Sequence, residues 1–217
     1  MSTVCMTRED LVKLVTRMVV ERLQSGPSIP IGISNRHIHL SRADMNVLFG
    51  KGSELTWKQD LKQPGQYACQ ETVIVRGPKG EFKKVRVLGP LRPETQLEIS
   101  KTDSFTLGVS TPVRESGDLK DTPGIEIIGP AGSVKKDHGV IVALRHIHMS
   151  TEDAKKFGVK DKDVVDVIVG NETRKAILTN VLVRVSEKRP PVPICSWCTP
   201  KPPCIFSALL RKYAAWE

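Results

Sequence analysis

Four of the five histidines, His37, His39, His146 and His148, fall in two His-Ile-His segments. Side chains at i and i+2 of an extended strand share a face, so each segment offers two imidazoles side by side. That is the presentation a metal ion requires. Zinc takes nitrogen donors at about 2.0–2.1 Å, and a catalytic zinc keeps one position open for water or substrate. The segments belong to a longer repeat, Arg-His-Ile-His-Leu-Ser at 36–41 and Arg-His-Ile-His-Met-Ser at 145–150. The likeness continues through Asp44 against Asp153 and Phe49-Gly50 against Phe157-Gly158. A single copy would be better explained as a strand with a buried isoleucine and two half-exposed imidazoles. Its duplication, in a chain nearly devoid of other histidine, turns the balance toward metal binding, with the two arms meeting on one ion or two.

Two imidazoles do not complete a metal site. In Gln96-Leu-Glu-Ile-Ser100, Leu97 and Ile99 point one way and Glu98 the other, which makes Glu98 a candidate ligand. Arg92 lies just before it in Gly-Pro-Leu-Arg-Pro93, and the planar fork of arginine suits a phosphate dianion. Cys69 is a nucleophile on paper, but nothing beside it in sequence would activate its thiol.

The elements that must position these groups are mostly strands. Residues 71–76, 84–88, 96–100 and 125–128 are short β-branched runs bounded by Gly-Pro pairs at 77–78, 89–90 and 129–130. A second set covers 139–144, 163–169 and 181–185, and short helices fit at 41–48 and 150–157. Many short strands at such spacing favour barrels over a parallel doubly wound sheet. Ahead of them, Thr7-Arg-Glu-Asp10 opens an amphipathic helix carrying Leu11, Leu14, Val15, Met18, Val19 and Leu23, closed by a Gly-Pro linker. The expected organisation is a mainly β chain with short helices: an N-terminal amphipathic helix and linker over 1–27, and two duplicated β-barrel domains over 28–130 and 131–188. A divergent Pro- and Cys-rich tail covers 189–217.

Composition narrows the function classes. The 217 residues are 39% hydrophobic and 26% charged, as in ordinary globular proteins, and no apolar run nears the roughly 20 residues of a membrane span. Charged residues through the first 24 positions exclude a secretory signal, so the cytosol is the default compartment. The net charge of +9 suits an anionic partner, and an aromatic content of 5% favours a phosphorylated small molecule over nucleic acid.

Taken together, Ser34-Asn-Arg-His-Ile-His-Leu-Ser41, Gln63-Pro-Gly-Gln66, Leu88-Gly-Pro, Arg145-His-Ile-His-Met-Ser150 and Asn180-Val-Leu-Val-Arg-Val-Ser186 resemble the phosphate propanoyltransferases, phosphotransacylases of bacterial microcompartments. The resemblance runs from about Met1 to Lys188. It implies two β-barrels, a dinuclear zinc site, and exchange of acyl-CoA plus phosphate for acyl phosphate plus CoA, with propanediol degradation as setting. By resemblance, His37, His39 and Glu98 hold the first zinc, and His146 and His148 supply two ligands of the second. Arg92 and Arg184 handle phosphate, and Ser34 lies where the site approaches CoA. The N-terminal helix resembles the segment that directs such enzymes into a microcompartment lumen, where shell or cargo proteins and further copies of the chain are its expected partners. After Lys188 the likeness ends: the family's histidine near Ile194 is missing, and Cys195-Ser-Trp-Cys198 is the nearest substitute. A zinc hydrolase on the same histidines, and an inactive compartment-associated protein, are the competing expectations.

Overall fold

The β-branched runs fold, in a computed structural model, into sixteen strands and three short helices among the described residues. Those residues are 7–9, 11–12, 16, 29–30, 32–34, 36–61, 65–170, 176–186, 192–195 and 207–212. In chain order the elements are β1 (Ile29–Pro30), β2 (Gly32–Ile33), β3 (His37–His39), α1 (Arg42–Phe49), β4 (Trp57–Asp60), β5 (Tyr67–Arg76), β6 (Glu81–Gly89) and β7 (Gln96–Glu98). There follow α2 (Lys101–Leu107), β8 (Val113–Arg114), β9 (Glu126–Ile128), β10 (Ser133–Lys135), β11 (Val140–Ala143) and β12 (His146–Met149). The last are α3 (Thr151–Phe157), β13 (Val164–Val169), β14 (Ala176–Val185), β15 (Val192–Cys195) and β16 (Ser207–Lys212). The architecture is mainly β, with a sheet that curls into a half-barrel.

The strands form two sheets. One runs β10-β9-β5-β6-β3-β7-β11-β8, with β4 on β5, and the other runs β1-β16-β13-β14-β12-β15-β2. Each His-Ile-His strand sits inside its sheet in the same way. β3 pairs parallel with β6 and antiparallel with β7, and β12 pairs parallel with β14 and antiparallel with β15. The internal sequence repeat is therefore also a repeat of strand pairing. Ile38 and Ile147, the middle residues of the two motifs, are fully buried in separate apolar clusters. Burying one such side chain is worth about 1.5–3 kcal/mol, enough to hold the register of a three-residue strand.

Both motifs run straight into a capped helix. Ser41 and Ser150 accept from the backbone N–H of Asp44 and Asp153, so the serine that ends each repeat starts α1 and α3. Gly50 and Gly158 close these helices at positive φ. The helices expected over 41–48 and 150–157 form within one residue of those bounds. A third helix, α2, was not expected; it follows Gln96-Leu-Glu-Ile-Ser100 on a full Ser100/Asp103 capping box.

Sheet membership does not follow chain order. β10 and β11 lie beyond residue 130 yet pair with β9, β7 and β8 of the first sheet. β1 and β2 precede the first motif yet pair with β16 and β15 of the second. Of the expected N-terminal helix, Arg8, Glu9, Leu11, Val12 and Thr16 are helical and exposed; the remainder of it, and all side chains of the 189–217 tail, Cys195 and Cys198 included, lie outside what is described. No helix among the described residues is long and apolar enough to cross a membrane.

Candidate metal and anion site

β3 and β7 build the centre of the site. Their register sets His37 opposite Glu98 and His39 opposite Gln96. The Glu98 Oε2 to His37 Nε2 distance is 3.4 Å. Donors at the corners of a zinc tetrahedron with about 2.0–2.1 Å bonds stand about 3.4 Å apart. The two imidazoles lie edge to face with centroids 5.3 Å apart. Among the described residues, His37, His39 and Glu98 are the one group of three whose donor atoms lie within 4.8 Å of one another.

His39 carries the clearest mark of a ligand. Its ring hydrogen-bonds the Leu88 backbone, while Nδ1 is buried and has no partner. An orphaned buried polar atom costs about 1–3 kcal/mol, and a bound cation would remove that cost. Burial, with smaller contributions from His37 and Arg92, pushes the His39 pKa down to about 2. The ring is therefore neutral and its lone pair available at any physiological pH. The Leu88 contact supplies the outer hydrogen bond that fixes ring orientation in metal sites. These residues fit a metal ion.

The lowered pKa sets the sign of a pH effect on the metal-free protein. The folded His39 binds a proton only near pH 2, the unfolded one near 6.5, so the unfolded state holds more protons between those values. This contribution to stability is present above about pH 6.5 and is lost progressively as pH falls toward 2. Urea unfolding at pH 6.5, 5.5 and 4.5 is expected to show that slope in the wild type and a shallower one in His39→Leu. Equal slopes would remove His39 from the explanation.

Around the candidate triad lies a polar network. Glu98 Oε1 accepts from Gln96 Nε2 at 2.6 Å and from the Ser116 hydroxyl at 2.9 Å, leaving Oε2 for His37 and an ion. Gln96 Oε1 accepts from the Gly117 N–H at 2.8 Å. Arg92 is half-buried and donates from Nη1 to Ser116 Oγ at 3.1 Å. Its backbone N–H donates to the Leu40 carbonyl at 2.9 Å, tying the arginine loop to the end of β3. Thr95 strengthens that tie: its hydroxyl accepts from the Ser41 N–H and donates to the Asp44 carboxylate, which also takes Lys136 Nζ at 3.1 Å. Burial alone would raise the Asp44 pKa, but these hydrogen bonds outweigh it and the carboxyl stays below its usual value.

Arg184, on β14 beside His148, acts on Arg92 as a like charge. Burial first, and then Arg184, lower the Arg92 pKa, while Glu98 pulls the other way. Arg92, linked to Glu98 through Ser116, and Arg184, on the strand paired with His148, are the candidate cations for an anion here. Ser34 is half-buried just before β3. Sequence reasoning missed Gln96 and Ser116. Gln96 shares the Glu98 face of β7 and was discoverable by alternation; Ser116 lies in a turn with no local motif.

The second histidine pair is built like the first but is completed differently. His146 and His148 are buried edge to face at 4.7 Å, and His146 Nδ1 lies 2.7 Å from the Leu144 carbonyl oxygen. β15 sets Ile194 opposite His146, the ladder position that Glu98 holds opposite His37. An isoleucine has no donor atom. The His146–His148 pair thus lacks, at that position, a counterpart to Glu98.

Cys69 is excluded as a nucleophile. It is fully buried, and burial pushes its thiol up to about 11. Iodoacetamide at neutral pH is expected to leave Cys69 unmodified by peptide mass mapping, without loss of activity. Activity falling in step with Cys69 alkylation would reverse the conclusion.

A family model described as phosphate propanoyltransferase matches residues 30–191. The chain belongs to the phosphate propanoyltransferase family, a family of transferases. It is 58% identical over 171 residues to the phosphate propanoyltransferase of Thermotoga maritima, covering 79% of this chain and 81% of that one. The Rhodopseudomonas palustris enzyme of the same name is 59% identical over 159 residues, 73% of this chain and 70% of its own. That of Salmonella typhimurium is 48% identical over 178 residues, 82% and 84% of the two chains. The family match contains both histidine motifs, Glu98, Arg92 and Arg184.

Proposed function

We propose that this chain interconverts a short-chain acyl-CoA, propanoyl-CoA foremost, and phosphate with the acyl phosphate and free CoA, at a zinc site made by His37, His39 and Glu98. The observation that carries this reading is the His37, His39 and Glu98 cluster, with Arg92 linked to Glu98 through the Ser116 hydroxyl. Zinc held there would act as a Lewis acid on the thioester carbonyl or the phosphate. Arg92 and Arg184 grip phosphate oxygens through charge-assisted hydrogen bonds and hold one of them against the acyl carbon. A phosphate oxygen forms the new C–O bond, the C–S bond breaks, and CoA leaves as thiolate to be protonated. Fixing both reactants supplies much of the acceleration, and the buried, protonated Cys69 leaves no acyl-enzyme on that residue. Ser34 is assigned to the CoA approach.

The repeated strand pairing supports reading the two halves as duplicated barrels. The exposed Leu11 and Val12 of the N-terminal segment support its assignment as a docking helix for microcompartment entry. The deciding assay follows thiol release from propanoyl-CoA with and without phosphate. Strict phosphate dependence, with acyl phosphate as product, is expected. Release at the same rate without phosphate would mean that the site is a thioester hydrolase.

A further inference from the structure

Ser116 stands between the two halves of the site's chemistry. It lies in the turn after β8, and its hydroxyl has three partners: it donates to Glu98 Oε1 at 2.9 Å and accepts from Arg92 Nη1 at 3.1 Å and Gln96 Nε2 at 2.9 Å. A hydroxyl has one proton and two lone pairs, so its whole capacity is in use. The turn is braced from both sides. Gln96 Oε1 holds the Gly117 N–H, and Glu115 takes Lys162 Nζ at 2.8 Å. The Lys162 backbone N–H in turn donates to the Val183 carbonyl, one residue from Arg184.

The arrangement answers an electrostatic problem. Arg92 and Glu98 are opposite charges in a partly buried place, and they attract. Left to themselves they would form an ion pair, which would occupy the guanidinium that must hold phosphate and the carboxylate that must hold metal. A neutral hydroxyl that accepts from one and donates to the other satisfies both without letting them close. We propose that Ser116 is a positioning residue that keeps Arg92 from collapsing onto Glu98, so that metal and phosphate each find their partner free. Both halves rest on the site proposed above: the metal half on its zinc triad alone, the phosphate half also on the acyl transfer.

The test is a double-mutant cycle read by zinc affinity of the metal-free protein, in competition with a chelating dye, and by the KM for phosphate. Ser116→Ala is expected to weaken zinc binding and raise the phosphate KM, each by about tenfold to a hundredfold, while the KM for acyl-CoA stays put. Ser116→Thr keeps the hydroxyl and is expected to stay within about threefold of wild type, which separates the effect from a disturbed turn. The decisive variant is Arg92→Ala with Ser116→Ala. Removing the competing cation should return zinc affinity most of the way to wild type, a non-additivity that general loosening cannot produce. Unchanged zinc affinity in Ser116→Ala, or a double variant no better than the single one, would overturn the proposal. Should the wild type show no phosphate-dependent CoA release while the zinc cycle is non-additive, the function fails and the role of Ser116 toward the metal stands.

Discussion

Glu98→Gln is expected to lower zinc affinity by at least about a hundredfold, and phosphate-dependent CoA release with it. Changing residues merely hydrogen-bonded to ligands costs metal sites 10–100-fold, so losing an anionic ligand sets the floor near the top of that range. The substitution preserves volume, and its neighbours constrain the outcome. Glu98 Oε1 now accepts from both Gln96 and Ser116. A neutral amide can satisfy those donors through its oxygen, but its nitrogen then faces His37 with protons where Oε2 had lone pairs. Folding should survive, because Leu97 and Ile99 anchor the segment in the core. Dye competition for zinc and circular dichroism on the same samples separate the two effects. Zinc binding within a few-fold of wild type would mean that Glu98 is not a ligand.

Arg92→Ala is expected to cut kcat/KM for phosphate by roughly 10–150-fold, the value of one charge-assisted hydrogen bond at about 1.5–3 kcal/mol. Arg92→Lys should recover only part of this, since it restores the charge but not the fork. The loss should fall on phosphate and leave the KM for acyl-CoA within about twofold. Arg184→Ala should act in the same direction, because the proposed phosphate site uses both guanidinium groups. A selective rise in the acyl-CoA KM instead would reassign these arginines to the CoA phosphates.

Residues whose role depends on local spacing were legible from the sequence. The pairing of His37 with His39, and of His146 with His148, follows from the two-residue period of a strand; alternation with Leu97 and Ile99 gives Glu98 its face, and family resemblance singles it out as a candidate ligand. The short helices over 41–48 and 150–157 were legible within one residue, though not the serine caps that start them. Residues whose role depends on long-range pairing were not legible. Ser116 meets Glu98 across 18 positions of chain. The parallel pairing of β11 with β7, and of β2 with β15, is a property of sheet order, about which periodicity is silent. The helix α2 escaped notice because seven residues give no sustained 3.6-residue stripe, only a capping box and the buried Leu107. Arg184 came from family resemblance alone; on its strand nothing but the partner charge on Arg92 distinguishes it.

Zinc titration of the metal-free protein, with phosphate-dependent CoA release followed at each addition, tests the metal-centred reading most directly. Release should be near zero without metal, rise in proportion to zinc bound, and vanish again on adding a chelator, with no comparable rise in Glu98→Gln. Full turnover by protein stripped of metal, or an undiminished rise in Glu98→Gln, would contradict it.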